Sequence, residues 1–280
     1  MTTNNEQPSW IEIRIKSWEE LVEALHSLEI IPHYVEAGGH RRSTFFFRGM
    51  ADESWKLMTS LERLGSPPEV VEMPALRAFQ KYAPVGTFSP RSEWERLAVA
   101  QHNGLPTRVL DWTFSPLIAA HFATAESQYK DADGVVWCVN NDILRKYFLP
   151  DVMRAELMEA HAYGYNVPLL DKLYPSLGNF DKTDKIFGDA IIFIEPPSID
   201  ARIQNQYGFL SAMNGASKSH DAYLRQCSKV HPKFVYRIVI EHTAKAEIRD
   251  MLDQNNITER MLFPGLPGLC DWLRRYYGPV

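Results

Sequence analysis

The sequence predicts an α+β fold, a mixed and largely antiparallel or split sheet flanked by helices. Three observations predict it. Short apolar or alternating runs read as strands. Capped stretches with helical spacing lie between them. The two kinds of element interleave without the regular strand and long-crossover-helix order of a doubly wound parallel sheet. The 280 residues, 45% hydrophobic and 23% charged, can bury a sizeable core. They are read as one domain over residues 1–280.

Trp10 leads into Ile11-Glu12-Ile13-Arg14-Ile15, which alternates and reads as a strand. Ser17 stands three before Glu20, a capping box that opens a helix through Leu21, Leu25 and Leu28. His40 to Ser43 is a polar turn. Thr44 to Arg48 is a continuous aromatic run suited to a buried strand, ended by Arg48-Gly49. Helical pattern returns from Pro74 to Tyr82. Ser92 with Glu95 is a second capping box, opening a helix with Trp94, Leu97, Ala98 and Gln101, and Gly104 followed by Pro106 stops it. Val109 to Trp112 is short and extended. Ser115 before Pro116 is an N-cap with proline at the first helical position, starting a helix from Leu117 to Ala125.

Gly134 to Val139 is a strand. Residues 150–185 carry prolines and aromatics without a period and read as an insertion or lid. Ala190 to Ile194 is a strand closed by Pro196-Pro197, Tyr207 to Leu210 is another, and Phe234 to Glu241 alternates in part. Helices over Ala244 to Leu252 and Leu269 to Tyr276 complete the series.

The net charge of −5 argues against a general nucleic-acid binder, which needs a basic excess to release counterions. It leaves room for a local basic pocket that takes a phosphate-bearing ligand. Cys138, Cys227 and Cys270 are odd in number and far apart, which argues against a disulfide framework or zinc site and fits a reducing cytoplasm. The N-terminal residues show no apolar leader, and no run reaches the roughly 18 apolar residues of a membrane span. The expectation is a cytoplasmic chain without membrane contact and without a metal. Walker, GxGxxG, HExxH and GxSxG patterns are absent from the sequence.

Chemistry-bearing residues concentrate between Ala100 and Pro116. Gln101, His102, Arg108, Asp111 and Thr113 sit here between two capped helices, and turns carry function more often than helix faces. Several have a structural alternative. Ser115 serves as a helix cap. Asp111 pairs with Arg108 as a structural salt bridge, and His102 complements a helix C-terminus. Arg48, ending an aromatic strand, needs either an acidic partner such as Asp111 or a phosphate or carboxylate ligand. Gly49 allows close backbone approach or positive φ. Arg202 and Gln206, four apart, share a face if their segment is helical.

Four blocks together resemble the FRG domain family, named for its (Phe/Tyr)-Arg-Gly motif. They are Phe46-Phe47-Arg48-Gly49; Trp55-Lys56-Leu57 with Ser60-Leu61 and Arg63; Ala100 to Thr113 with Ser115-Pro116 and Ala119-Ala120-His121-Phe122-Ala123; and Arg202-Ile203 with Gln206-Tyr207-Gly208-Phe209. Asn103 stands where the family commonly has a second histidine, and Val109 where it commonly has leucine. The resemblance implies a single FRG-type domain over residues 1–280, with a core from about 40 to 215 and a C-terminal strand and helices over 216–280 packed on it; it implies bacterial or phage association, with some members near defence or toxin systems, and no reaction.

A weaker resemblance is to ADP-ribosyltransferases. It rests on Arg48 after an early strand, on Thr113-Phe114-Ser115 before an Ala-rich helix, and on the later polar block. It implies NAD as substrate, with Arg48 anchoring phosphates, Thr113 stiffening the site, and Trp112 or Tyr207 as the stacking surface. That chemistry passes through an oxocarbenium-like state needing a nearby negative or accepting group. Gln206 occupies the nearest position to the expected glutamate; Glu195 and Glu241 at strand ends are the other carboxylates to weigh.

Three functions follow. The first is an NAD-using ADP-ribosyltransferase-like enzyme of a toxin or phage-defence type, with Arg48, His102, Thr113 and Gln206 catalytic. Arg48, Arg108, Asp111, Trp112, Ser115, Arg202 and Tyr207 would then bind the cofactor. The second is a non-catalytic module taking a small anionic or nucleotide ligand near Arg48 and Arg108. The third is a nuclease or other hydrolase with His102 and Asp111 as acid–base pair. Any protein or nucleic-acid target is not readable from the residues.

Overall fold

The computed structural model describes residues 10–27, 43–87, 92–198 and 200–278. In chain order the elements begin with β1 (Ile11–Ile15), α1 (Trp18–Ser27), β2 (Phe45–Met50), α2 (Pro68–Tyr82), α3 (Glu93–His102), β3 (Val109–Thr113), α4 (Pro116–Thr124) and β4 (Gly134–Asn140). Next come α5 (Asn141–Ile143), α6 (Asp151–Glu159), β5 (Tyr165–Asn166), α7 (Val167–Leu173), α8 (Leu177–Asp181), α9 (Asp184–Phe187) and β6 (Ile191–Glu195). Then follow α10 (Ala201–Asn205), β7 (Gly208–Met213), α11 (His220–Val230), β8 (Val235–Ile240), α12 (Lys245–Gln254), α13 (Glu259–Leu262) and α14 (Leu266–Tyr277). The fold is α+β with mixed strands: β1–β8 and β5–β6 are parallel, while β2–β4, β4–β8, β2–β3 and β6–β7 are antiparallel.

The chain forms two compact units. The first comprises the described residues of Met1–Trp55, Thr113–Leu144 and Leu224–Val280; the second, those of Lys56–Trp112 and Arg145–Tyr223.

In the first unit the strands run β1-β8-β4-β2. One sheet face presents Phe45, Phe47, Val136, Cys138, Ile238 and Ile240 to α1, α4 and α12, and this is the core. Strand alternation sends Phe46, Arg48, Trp137 and Arg237 to the other face. There Phe46 stacks on Phe114 at 5.0 Å, and Arg237 lies 4.9 Å from the Trp137 ring centroid. Gly49 explains the motif's small residue. A Cβ there would stand 1.8 Å from the Ala119 carbonyl oxygen and 2.7 Å from the Ala123 nitrogen. Its φ is not positive, so close approach of β2 to α4 is the reason for glycine. The small residues Ala119, Ala120 and Ala123, all buried, make that approach possible.

In the second unit β5, β6 and β7 pair in that order, with Phe193 opposite Ser211. The stretch read as an insertion or lid is folded into α6 to α9 and bound to α3. The Trp94 indole N–H donates to the Tyr174 carbonyl at 2.8 Å, and its ring meets Phe180 edge-on at 5.4 Å. The Ser92 hydroxyl donates to Asp171 at 3.0 Å, and Glu93 accepts from the Leu177 amide at 2.9 Å. Short helices bound by such distant partners leave no long period in the sequence, which is why none was visible.

Other differences are local. The aromatic strand continues through Gly49 to Met50 rather than ending at Arg48-Gly49. Helix α2 starts at Pro68, six residues before the expected start, and holds Pro74 in its interior. Helix α11 was not anticipated, and the segment around Arg202, whose helical state was left open, forms α10. Leu28 and residues 40–42, also assigned from sequence, lie outside the described residues.

Candidate functional site in the second unit

Of the ten residues given catalytic or ligand-binding roles from sequence, seven belong to the second unit: His102, Arg108, Asp111, Trp112, Arg202, Gln206 and Tyr207. The loop after α3 is built by its own capping chemistry. Ser92 accepts from the Glu95 amide at 3.0 Å to start the helix. Gly104, at φ 83°, reverses the chain, and the Leu105 amide returns to the Ala100 carbonyl at 3.0 Å. Gln101 then clasps both sides of the turn. Its amide donates to Asp111 at 2.8 Å, and its carbonyl accepts from the Thr107 hydroxyl at 2.5 Å. Thr107 is in turn held by Ser60, whose hydroxyl accepts from the Thr107 amide at 3.1 Å, and by the Leu61 amide at 3.2 Å. The Ser60-Leu61 and Leu105-Pro106-Thr107 blocks therefore meet in space, and the shared work of Gln101, Thr107 and Asp111 is to fix the loop.

His102, the last residue of α3, is aimed outward from that loop. Its Nε2 lies 2.7 Å from Oδ2 of Asp200, 98 residues away in sequence. Asp200 also caps α10, its other oxygen accepting from the Arg202 and Ile203 amides at 2.9 and 3.3 Å. Desolvation pushes the Asp200 carboxyl up, but the His102 bond and these amides outweigh it and hold it below its ordinary range. An ionised carboxylate can only accept, so Nε2 carries a proton. His102 is 14% exposed and Asp200 47% exposed, so solvent reaches the pair.

Helix α10 follows directly. Arg202 and Gln206 are half-buried and lie one turn apart, the Gln206 amide donating to the Arg202 carbonyl at 3.0 Å. Tyr207 is 64% exposed and sits at φ 47°, a left-handed conformation uncommon for an aromatic residue. The His102–Asp200 contact thus joins the third sequence block to the fourth.

Arg108 is placed differently. Its Nε donates to both Glu72 oxygens at 2.8 Å, and its NH2 to Asp181 at 3.0 Å, with a further short contact from NH1 to Asp181. It is 4% exposed and Glu72 2%, while Asp181 remains one-third exposed. Burial alone would lower the guanidinium's pKa; the bonds to Glu72 and Asp181 raise it above the ordinary value. Its salt bridge is therefore to Glu72 and Asp181, not to Asp111. Trp112 is also committed inward: its N–H donates to Ser211 at 2.8 Å and its ring meets Phe193 at 5.4 Å. Of the two aromatics expected to stack on a ligand, Tyr207 is the exposed one.

Arg48, Thr113 and Ser115 belong to the first unit. Phe47 pairs with Thr113, and directly opposed residues share a sheet face. Thr113 therefore goes with the core face and Arg48 with the other. The Thr113 hydroxyl accepts from the Ser115 amide at 3.0 Å, and Ser115 accepts from the Ile118 amide at 3.3 Å, so both shape the start of α4. Of the two candidate carboxylates, Glu195 is half-buried and its carboxyl is raised by desolvation, which the Gly164 amide only partly offsets. Glu241 makes a 3.6 Å ion pair with Lys16.

Sequence reasoning named His102 but missed its partner. Asp200 was readable as an N-cap before Ala201, yet nothing local ties it to a histidine 98 residues away. Glu72 and Asp181 were missed for the same reason. Among the described residues no three His, Cys, Asp or Glu side chains are grouped to hold a metal ion, and no described helix is long and apolar enough to cross a membrane.

No curated protein and no solved structure matches the chain. A family model does match, the FRG domain, over residues 43–132. That stretch holds β2, α2, α3, β3 and α4, and so the first three of the four blocks; Arg202 to Phe209 lies outside it. The chain carries an FRG domain over residues 43–132.

Proposed function

We propose that the chain acts on a nucleotide-type anion, with His102 as general acid–base residue and Asp200 as the group that orients it. The observation that carries this reading is the 2.7 Å contact between them, in which a carboxylate orients an imidazole that solvent reaches. Arg202 supplies a positive charge on the adjoining helix, and the exposed ring of Tyr207 a stacking surface. The left-handed backbone of Tyr207 costs of order 1 kcal/mol, and strain of that kind clusters at working sites.

NAD is the first ligand to test, and glycosidic cleavage of the ADP-ribosyltransferase type the first chemistry. In its simplest form water attacks C1′ of the nicotinamide ribose. The C–N bond to nicotinamide breaks, neutral nicotinamide leaves, and the water proton passes to His102 Nδ1. The experiment is release of free nicotinamide from NAD by the full chain. His102→Ala and Asp200→Asn are each expected to lower kcat by about 100-fold or more, the usual contribution of a positioned acid–base group. Release unchanged in both variants would remove the pair from the mechanism.

A second reading assigns Arg48 to ligand phosphates, as its motif position suggests. Arg48→Ala, run in the same assay and in NAD binding by calorimetry, separates catalysis from binding. Binding without turnover in the unaltered chain, lost in Arg48→Ala, favours a non-catalytic nucleotide module.

A further inference from the structure

Helix α14 of the first unit is amphipathic, but its apolar side faces outward. Gly268, Trp272 and Arg275 recur at the i, i+4, i+7 spacing of one helix face, and that face meets the protein. A Cβ on Gly268 would stand 2.0 Å from the Phe263 carbonyl oxygen, so α14 lies close upon the end of α13. The Arg260 guanidinium lies 4.7 Å from the Trp272 ring centroid. Arg275 bonds Glu259 of α13 at 2.8 and 2.9 Å and Asp253 of α12 at 2.7 Å.

Leu266, Leu269, Cys270, Leu273 and Tyr277 fall at i, i+3, i+4, i+7 and i+11, the stripe that in most helices packs into a core. Here it lies on the far side of the helix. Leu266 is 74% and Tyr277 80% exposed, Cys270 is exposed, and Leu269 and Leu273 are half-buried. Tyr276, also exposed, widens the stripe. A contiguous exposed apolar stripe marks a contact surface, as scattered single residues do not.

The charges beside the stripe indicate what covers it. Asp271 and Arg274 stand on one flank, both exposed, with a 2.9 Å ion pair between them. Two copies of α14 related by a twofold axis run antiparallel and present the same flank to each other. With the axis passing between Asp271 and Trp272, Leu266 meets the other copy's Tyr277, and Cys270 meets its Leu273. Asp271 of each copy then comes within two residues' rise, about 3 Å along the helix, of the other copy's Arg274. The apolar stripe closes on itself, and each charge finds an opposite one. A lipid surface fits less well. It asks for a polar face rich in Lys and Arg, whereas Arg275 of that face is bound to Glu259 and Asp253.

We infer that this face of α14 is a self-association surface, through which two copies of the chain pair by antiparallel packing of their α14 helices. The helix is about 18 Å long, so the interface is small and the dimer weak, at the micromolar end of association.

The test is sedimentation velocity on the full chain between roughly 1 and 300 µM, the span that a weak interface covers. A monomer–dimer equilibrium is expected. Leu266→Asp alters an exposed position at the helix start, where an acidic residue suits the dipole, and should raise the dissociation constant about ten-fold or more. Asp271→Arg and Arg274→Asp each set like charges together twice. Each should weaken pairing roughly five-fold, and the double variant should restore it. Cys270 supplies an independent readout. Cys138 and Cys227 are buried, so a thiol-bridging reagent with a reach of about 10 Å, the spacing of packed helices, should link two copies through Cys270. The linked dimer should vanish in Cys270→Ser and fall in Leu266→Asp. A chain that stays monomeric at about 300 µM, a dimer unaffected by Leu266→Asp, or a double charge variant as weak as the single ones would each overturn the pairing. A monomer that binds anionic vesicles, and loses them in Leu266→Asp, would give the face to a lipid surface instead. Should Leu266→Asp not fold, Tyr277→Ser at the exposed other end of the stripe takes its place.

Discussion

At the scale of single residues, the motif's glycine and its later tyrosine work in opposite ways. Gly49 is where it is because β2 and α4 approach too closely for any Cβ, and the obstacle is a backbone carbonyl at 1.8 Å. Backbone cannot rotate away as a side chain can. Gly49→Ala should therefore cost at least about 3 kcal/mol, the upper end for overpacking, read as a lowered urea midpoint. Tyr207 has the opposite signature: its backbone would be easier with glycine. Tyr207→Gly should leave stability within about 1 kcal/mol of wild type, since relieved strain and added unfolded-state entropy oppose each other. If the ring stacks on a nucleotide, the same substitution should weaken NAD binding by ten-fold or more, since stacking is worth about 1–3 kcal/mol. Ser115 was a cofactor-binding candidate, but its hydroxyl is occupied in capping α4. Ser115→Ala should cost about 1 kcal/mol in stability and leave NAD binding unchanged.

At the scale of elements, what was legible from sequence was whatever a few consecutive residues decide. The capping boxes at Ser17 and Ser92, the Ser115-Pro116 start and the Gly104 stop all stand where the residues put them. The paired termini that give these elements their use were not legible, because their partners are far away in sequence. Arg108 shows the cost of that. Standing in a polar loop it read as a ligand for anions, but Glu72 on α2 and Asp181 at the end of α8 already take its guanidinium. One cation between two carboxylates ties α2 and α8 to β3. Arg108→Ala would leave Glu72, 2% exposed, without its countercharge, and should cost about 3–5 kcal/mol in urea denaturation. Asp181→Asn leaves the Glu72 pair in place and loses only the partly exposed arm, so it should cost about 1 kcal/mol. Equal losses in the two variants would mean that Glu72 is not the buried partner that matters.

At the scale of the whole molecule, the buried titratable groups bias the protein toward acid instability. His121 has its folded pKa lowered to about 3 from 6.5. Below pH 6.5 the unfolded chain binds a proton that the folded ring refuses, so stability falls as pH falls from about 6.5 toward 3. Glu259 is held at about 2 against an ordinary 4.5; desolvation opposes this, and the Arg275 and Arg249 contacts outweigh it. Its contribution is complete above pH 4.5 and is lost as pH falls toward 2. Asp133 and Asp200 are lowered as well and act in the same direction, whereas Glu195, raised by burial, acts against it. Two limbs should therefore appear in urea denaturation followed across pH. The first, between pH 7 and 5, belongs to the histidine and should remove about 2 kcal/mol. The second begins below pH 4.5 and belongs to the carboxylates. Glu259→Gln separates them. It loses stability at pH 7 by breaking the contacts to Arg249 and Arg275, should shrink the second limb, and should leave the slope of the first unchanged. An unaltered second limb in that variant would assign the acid response to carboxylates other than the one bound between the two arginines.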